Sequence, residues 1–169
     1  AEFVEKLRYI HRNPLKRALR VDKMTIAALS SVLSLYDNPE ELPNRLPVLR
    51  ALTRPMADIH AQAERLLGAV AARLGEKTSV SVVRCESQIG SGALPTNAIA
   101  SAGLSIQPRP QRRSAGTMLT RVASAFRILP VPVIGRIHEN AFLLDLRALD
   151  DEDAFTRQLT HLTLAEPPL

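Results

Sequence analysis

The fold is best predicted from residues 53–75, TRPMADIHAQAERLLGAVAARLG. Apolar residues recur there every three or four positions, which is the pattern of one helix face. This stripe consists of Met56, Ile59, Ala63, Leu66, Leu67, Val70 and Leu74. Thr53 is a candidate cap, Pro55 suits the first turn, and Gly75 can supply the left-handed residue that ends a helix. The sequence therefore predicts an amphipathic helix that stops at Gly75.

A β-rich section follows this helix. Alternating and β-branched residues predict strands at 79–85, 98–107, 131–137 and 141–147, with helices at 117–129 and from Asp150 to Leu162. The last two strands form a predicted hairpin across His138-Glu139-Asn140. From residue 55 onward the order is helix, strand, strand, helix, hairpin, helix. This order predicts an α+β layer, in which one antiparallel or mixed sheet carries helices on one face.

The part before residue 55 reads as mainly helical. Residues 2–12 predict a short basic helix that Asn13-Pro14 stops, and Pro14 can open a second helical run. Apolar spacing predicts an amphipathic helix over 22–36, and the prolines of 40–54 indicate a linker. We therefore expect two regions, a basic helical arm with a linker at 1–54 and an α+β domain at 55–169.

The positive charge of the chain is local. The formal charge is +5, of which residues 1–23 carry +4 and the remainder carries +1. This distribution disfavours a general nucleic-acid coat and leaves a polyanionic partner at this one end as an alternative. Aromatic residues make up only 4% of the sequence and Trp is absent, so base stacking on aromatic platforms is disfavoured.

Metal and disulfide chemistry are not predicted. Cys85 is the single cysteine, and the four histidines, His11, His60, His138 and His161, are widely scattered. Cys85 ends an apolar strand and is expected to be an unreactive core thiol. No segment reaches membrane-spanning length and the first residues are too charged for a signal peptide, so we expect a cytoplasmic protein without a membrane partner.

The candidate binding site lies at residues 13–25, NPLKRALRVDKMT, where four cations fall within eight residues. Arg17 and Arg20 are three positions apart, so on a helix they would share one face and converge on a single anion. This spacing predicts an oxyanion or phosphate site, and the alternative is a solvated basic helix face. Gly90-Ser91-Gly92 is read as a strand-connecting turn, with an anion-cradling loop as the weaker alternative.

Three segments together resemble the C-terminal part of the bacterial selenocysteine synthase family, the L-seryl-tRNA(Sec) selenium transferases. They are residues 13–25, residues 86–96 (ESQIGSGALPT), and residues 129–137 (LPVPVIGRI) followed by 143–147 (LLDLR). The resemblance extends over roughly residues 13–163. It implies the small C-terminal domain of a fold-type I, aspartate-aminotransferase-like enzyme, preceded by helices of the large domain.

The resemblance also implies a reaction. The family depends on pyridoxal 5'-phosphate and converts seryl-tRNA(Sec) to selenocysteinyl-tRNA(Sec) with selenophosphate. In it the paired arginines of the first segment hold the anionic selenium donor, which assigns that role to Arg17 and Arg20. The full-length enzyme is expected to be a homo-oligomer.

The sequence departs from the family at two points. The Schiff-base lysine belongs to an acidic-lysine motif ahead of a Gly-Gly-Pro-Gln turn, and no lysine of this chain (Lys6, Lys16, Lys23 or Lys77) has that context. We therefore expect a fragment with no catalytic residue of its own, no covalent cofactor and no activity alone. Residues 1–13 diverge and resemble a segment of the repeat-associated tyrosine transposases.

Two alternatives to selenium transfer are retained. One is a non-catalytic oligomerisation or regulatory module that docks on a complete synthase. The other is a small basic RNA-binding protein that acts through residues 1–23.

Overall fold

The computed structural model describes residues 2–18, 20–88, 98–109 and 115–164. The chain divides into two compact units, Ala1–Leu49 and Arg50–Leu169, which we call the helical unit and the α+β unit. The division falls slightly before the boundary predicted at residue 54.

The helical unit is built of short helices. These are α1 (Glu2–Arg12), a 3₁₀ turn (Pro14–Arg17), α2 (Lys23–Leu33), 3₁₀ turns at Ser34–Asp37 and Pro39–Glu41, α3 (Leu42–Arg45) and the start of α4 (Pro47–Thr53). The predicted basic helix and the helix that starts after Asp22 are confirmed. The segment 40–54, predicted as a linker between two packing units, contains the division between the units but is helical, because Pro43 and Pro47 lie in the first turns of α3 and α4, where a missing N–H costs no hydrogen bond.

Little of the helical unit is buried. Leu42 is the one buried residue among those described up to residue 49. The apolar side chains predicted to form the stripe of α2 remain exposed, for example Ile26 at 55% and Leu29 at 56%. Side-chain caps start two of these elements, the 3₁₀ turn at Pro14–Arg17 and α2: Asn13 Oδ1 accepts from the Leu15 N–H, and Asp22 Oδ1 accepts from the Thr25 N–H, each at 2.9 Å.

The α+β unit contains one four-stranded antiparallel sheet and three longer helical segments. In chain order these are α5 (Met56–Leu74), β1 (Thr78–Gln88), β2 (Ala98–Pro108), α6 (Ala115–Arg127), β3 (Arg136–His138), β4 (Ala141–Asp145) and α7 (Glu152–Gln158), with a 3₁₀ turn at Leu159–His161. The strand order is β1-β2-β4-β3, and all pairs are antiparallel. The predicted α+β architecture is confirmed.

Two predicted boundaries of this unit are wrong. Thr53 does not cap α5: it is the last residue of α4, and Pro55 occupies the N-cap of α5 without a side-chain hydrogen bond. The strand predicted at 131–137 pairs only over Arg136–His138, since the segment before it contains Pro130 and Pro132, which cannot donate to a ladder.

The turns behave as their residues predict. Gly75 ends α5 with φ = 69°, a conformation that costs glycine little. The β3–β4 hairpin turns through Glu139 and Asn140 at φ = 48° and 58°, as a two-residue turn with two positive φ angles requires. The predicted hairpin is therefore confirmed, although His138 belongs to its first strand.

The core lies between the sheet and the helices. Alternate residues of β2 (Ala102, Leu104 and Ile106) are fully buried against Ile59, Leu66 and Val70 of α5 and Val122 and Phe126 of α6. Phe126 and Phe142 stack with ring centroids 5.6 Å apart. Most of the stripe predicted for α5 is buried here, so the hydrophobic periodicity identified the correct face.

An ion pair joins α5 to α7 at the surface. Arg65 donates to both carboxylate oxygens of Glu152, at 3.0 Å from Nε and 2.7 Å from Nη2. These hydrogen bonds lower the pKa of Glu152 below its ordinary value. The Arg65 side chain is largely in solvent and Glu152 is half-buried, so solvent screens the pair and its contribution to stability is modest.

Candidate functional site

The two arginines of the predicted anion site lie in different secondary structure. Arg17 is the last residue of the 3₁₀ turn, whereas Arg20 lies in the non-helical segment before α2. The prediction that they share one helix face is wrong. Asp22 caps α2 with an extended backbone (ψ = 165°), so the chain must leave the helical conformation before it enters α2.

The cationic side chains of this segment differ in whether they already have a hydrogen-bond partner. Lys16 Nζ donates to the His11 carbonyl at 2.7 Å, so this lysine satisfies the end of α1. Arg17 and Arg20 are exposed, and within the described parts of the chain neither is paired with a carboxylate. Two exposed and unpaired guanidinium groups are suited to bind an oxyanion, which keeps anion binding as a hypothesis for this segment.

The other features considered as possible sites form no reactive or metal-binding group among the described residues. Gly90-Ser91-Gly92 lies outside the described residues. Cys85 is half-buried, and this burial raises the pKa of its thiol, as expected for a thiol of low reactivity. No group of histidine, cysteine and carboxylate side chains in residues 2–18, 20–88, 98–109 and 115–164 could hold a metal ion.

A polar cluster that we did not predict lies where β1, β2 and β4 meet. The Asp145 carboxylate accepts from Ser101 Oγ at 2.6 Å, from Ser87 Oγ, and from the Arg147 backbone N–H at 3.1 Å. Ser101 is fully buried. The sequence signal was available in LLDLR, where Asp145 and Arg147 interrupt an otherwise apolar strand end, but only the sheet register brings Ser87 and Ser101 to it.

Two arginines join the start of α5 to the loop after β4. Arg147 is 6% exposed, and within the described residues its guanidinium donates to four backbone carbonyls, those of Ala51, Leu52, Arg54 and Ala100. Arg54 makes hydrogen bonds in the opposite direction: its Nη1 donates to the carbonyls of Leu146, Arg147 and Leu149. We call these two residues the arginine pair. It satisfies carbonyls that the short, irregular segments on both sides would otherwise leave without partners.

The described residues do not fit a cofactor bound through a lysine. Lys6, Lys16, Lys23 and Lys77 are all exposed. A Schiff-base lysine needs a desolvated pocket or a neighbouring cation that favours the neutral amine, and an enclosing site that orients the ring. None of the four has such an enclosure, so no reaction step is assigned to them.

The architecture and the distribution of polar groups define the class of protein. The α+β unit is a small antiparallel sheet covered on one face by helices, and the helical unit carries exposed arginines, so the chain is an α+β protein with a separate basic helical unit. The model of the L-seryl-tRNA selenium transferase family matches residues 2–150, and the chain belongs to that family. The match includes residues 2–13, which we predicted to diverge.

Curated relatives support the same assignment. The L-seryl-tRNA(Sec) selenium transferase of Methylocella silvestris is 50% identical over 153 residues, which is 90% of this chain and 32% of the relative. That of Escherichia fergusonii is 48% identical over 155 residues, 92% of this chain and 33% of the relative. The chain therefore spans about one third of the length of the curated relatives it matches. Within the described residues, no helix is long and apolar enough to cross a membrane.

Proposed function

We propose that this chain provides the C-terminal part of a selenocysteine synthase, which converts seryl-tRNA(Sec) to selenocysteinyl-tRNA(Sec) with selenophosphate. The observation that carries the proposal is the family match over residues 2–150, which includes both units. In this proposal the α+β unit is the small domain of a fold-type I enzyme, and the helical unit belongs to the large domain. The assembled enzyme is a cytoplasmic homo-oligomer.

Arg17 and Arg20 are the residues assigned to the selenium donor. Their exposure and their lack of a carboxylate partner within the described segments support this role. A guanidinium offers a planar fork of donors that matches the oxygens of a phosphate-type anion. Because the two side chains do not project from one helix, we place the donor in the bend between the 3₁₀ turn and α2.

Catalysis requires groups that these residues do not supply. Pyridoxal 5'-phosphate, when bound, acts as an electron sink for chemistry at the carbon atoms of the seryl group. The exposed lysines do not fit it, so the Schiff-base lysine must come from the rest of the synthase. We accordingly expect the isolated chain to show no imine absorbance band on titration with the cofactor.

A chimeric synthase tests the proposal. The matching third of the Methylocella silvestris enzyme is replaced by this chain, and selenocysteinyl-tRNA formation is followed with radiolabelled selenium. We expect activity from the chimera, and a loss of at least tenfold for Arg17→Gln and for Arg20→Gln, as expected when one charge-assisted contact is removed. The Lys23→Gln chimera is the matched control, because Lys23 is a neighbouring exposed cation that begins α2.

Two results would count against the proposal. An inactive chimera that folds and assembles would show that this chain does not replace its counterpart. Full activity in the Arg17→Gln, Arg20→Gln double variant would remove the donor-binding role from these arginines.

A docking module is the second candidate function, and the exposed apolar residues of α2 favour it. Ile26 is 55% exposed, and Leu29 and Leu33 are each 56% exposed, which is unusual for the apolar face of a helix. In this case the chain would bind the complete synthase through α2 without supplying activity. Ile26→Ser together with Leu29→Ser should then abolish co-purification with the complete synthase, whereas under selenium transfer alone the chain should not bind it.

A further inference from the structure

The α+β unit contains an open cavity of mixed apolar and polar lining that the proposed function does not use. Its volume is about 390 Å³, and Ser87, Asp145, Arg136 and Arg147 contribute its polar lining. The cavity is formed where the ends of β1 and β4 and the start of β3 meet the segment just before α5. It is large enough for a small organic or inorganic anion.

The charges of the cavity do not cancel. Asp145 is already engaged by three donors of the chain, the hydroxyls of Ser87 and Ser101 and the backbone N–H of Arg147. Among the described residues, the Arg147 guanidinium donates to carbonyl oxygens and to no carboxylate. Arg136 is exposed and donates from Nη2 to the Glu86 carbonyl at 2.8 Å. Two guanidinium groups and one carboxylate thus line the cavity, and the carboxylate already accepts hydrogen bonds from other donors.

One donor of this cluster lacks an acceptor. Arg147 Nε is buried and has no hydrogen-bond partner among the residues that the structure describes. Buried donors without partners are rare in folded proteins, and here the whole side chain is 6% exposed. The guanidinium of Arg147, whose charge is stabilised by four carbonyl dipoles, therefore retains unmet hydrogen-bonding capacity at Nε beside the cavity.

We propose that this cavity binds a small oxyanion of the phosphate or carboxylate class, with Arg136 as its exposed ligand and Arg147 as its buried source of positive charge. Arg136 presents further N–H donors beyond the one that bonds to Glu86, and an oxyanion accepts such donors in pairs. The desolvated Arg147 strengthens the attraction because its charge is poorly screened. The proposal goes beyond selenium transfer and does not involve Arg17 or Arg20, which lie in the helical unit.

Amide NMR spectra of the isotopically labelled chain test this site. Inorganic phosphate and acetate are titrated separately at constant ionic strength, with chloride as the reference anion. We expect saturable shifts, centred on residues 87, 136 and 147, with at least one of the two oxyanions. Arg136→Gln should weaken the affinity about tenfold, since it removes one charge-assisted contact.

Two further variants test whether the anion binds at this cavity. Arg84→Gln removes another exposed strand arginine that does not line this cavity, and its affinity should stay within twofold of the parent chain. The Arg17→Gln, Arg20→Gln variant should keep the shifts at residues 87, 136 and 147, so failure of the selenium-donor site and failure of this site are distinguishable. Equal shifts with chloride, no shifts with either oxyanion, or unchanged affinity in Arg136→Gln would overturn the proposal.

Discussion

The two units of this chain are ordered by different interactions. In the α+β unit, apolar side chains of α5, α6 and α7 are buried against the sheet, and the arginine pair satisfies the carbonyls of its irregular segments. In the helical unit, most apolar side chains remain exposed, and the first 3₁₀ turn and α2 begin at side-chain caps. The difference teaches that amphipathic spacing alone does not create a core, because the same pattern is buried in α5 and exposed in α2.

The largest expected difference in the free energy of unfolding is between two Phe→Ala substitutions, one in each unit. Phe126→Ala removes a fully buried ring that stacks on Phe142, and should lower the free energy of unfolding by about 3–5 kcal/mol. Phe3→Ala removes a ring that is 73% exposed and should change it by no more than about 0.5 kcal/mol. Urea denaturation followed by circular dichroism measures both. Similar losses from the two variants would show that the helical unit has a core of its own.

A smaller loss is expected when one arginine of the pair is removed. Arg147→Ala leaves the carbonyls of Ala51, Leu52, Arg54 and Ala100 without this donor, and should cost about 3 kcal/mol of unfolding free energy. Arg73→Ala, at an exposed position near the end of α5, is the control and should stay within about 0.5 kcal/mol. If the Arg147→Ala chain were as stable as the control, we would conclude that water satisfies those carbonyls without Arg147.

The smallest effect concerns the cap of α2 and depends on pH. The Thr25 backbone N–H lowers the pKa of Asp22 below its ordinary value of 3.8. Because the folded state has the lower pKa, the stabilisation is complete above the unfolded value and is lost as the pH falls through the folded value. Helical ellipticity measured during acid titration should therefore fall in this acidic range.

The Asp22→Asn variant isolates that effect. Asparagine caps a helix about as well as aspartate but does not titrate. The difference in ellipticity between the two chains should therefore change only below about pH 4, in the range where aspartate titrates. Parallel acid titration curves would mean that the Asp22 carboxylate does not stabilise α2.

Much of the fold was predictable because it depends on local chemistry. The positive φ of Gly75 and of Asn140, the first-turn position of Pro14 and the cap at Asp151 follow from what these residues do in any chain. The apolar stripe of α5 identified its buried face. The segment predicted as a linker at 40–54 is helical because a proline ends one element and equally well begins another.

The candidate sites were less predictable. The three-residue spacing of Arg17 and Arg20 implied a shared face only if the helix continued, and the Asp22 cap ends that run. The Asp145 cluster depends on residues distant in sequence, since Ser87 and Ser101 come from other strands. No local pattern in the sequence brings these side chains together.

The sequence by itself determined the longer helices, the hairpin turn and the local concentration of charge, because each depends on residues that are neighbours in the chain, and three spaced segments identified the family. The tertiary structure decided which of the predicted apolar faces is buried, that of α5 and not that of α2, and which arginines are enclosed. Burial and hydrogen-bond partnership depend on the register of the sheet and on contacts across many residues. For this reason Arg147, which the sequence shows only as a charge at an apolar strand end, is a buried donor of the α+β unit, whereas Arg17 and Arg20 remain at the surface.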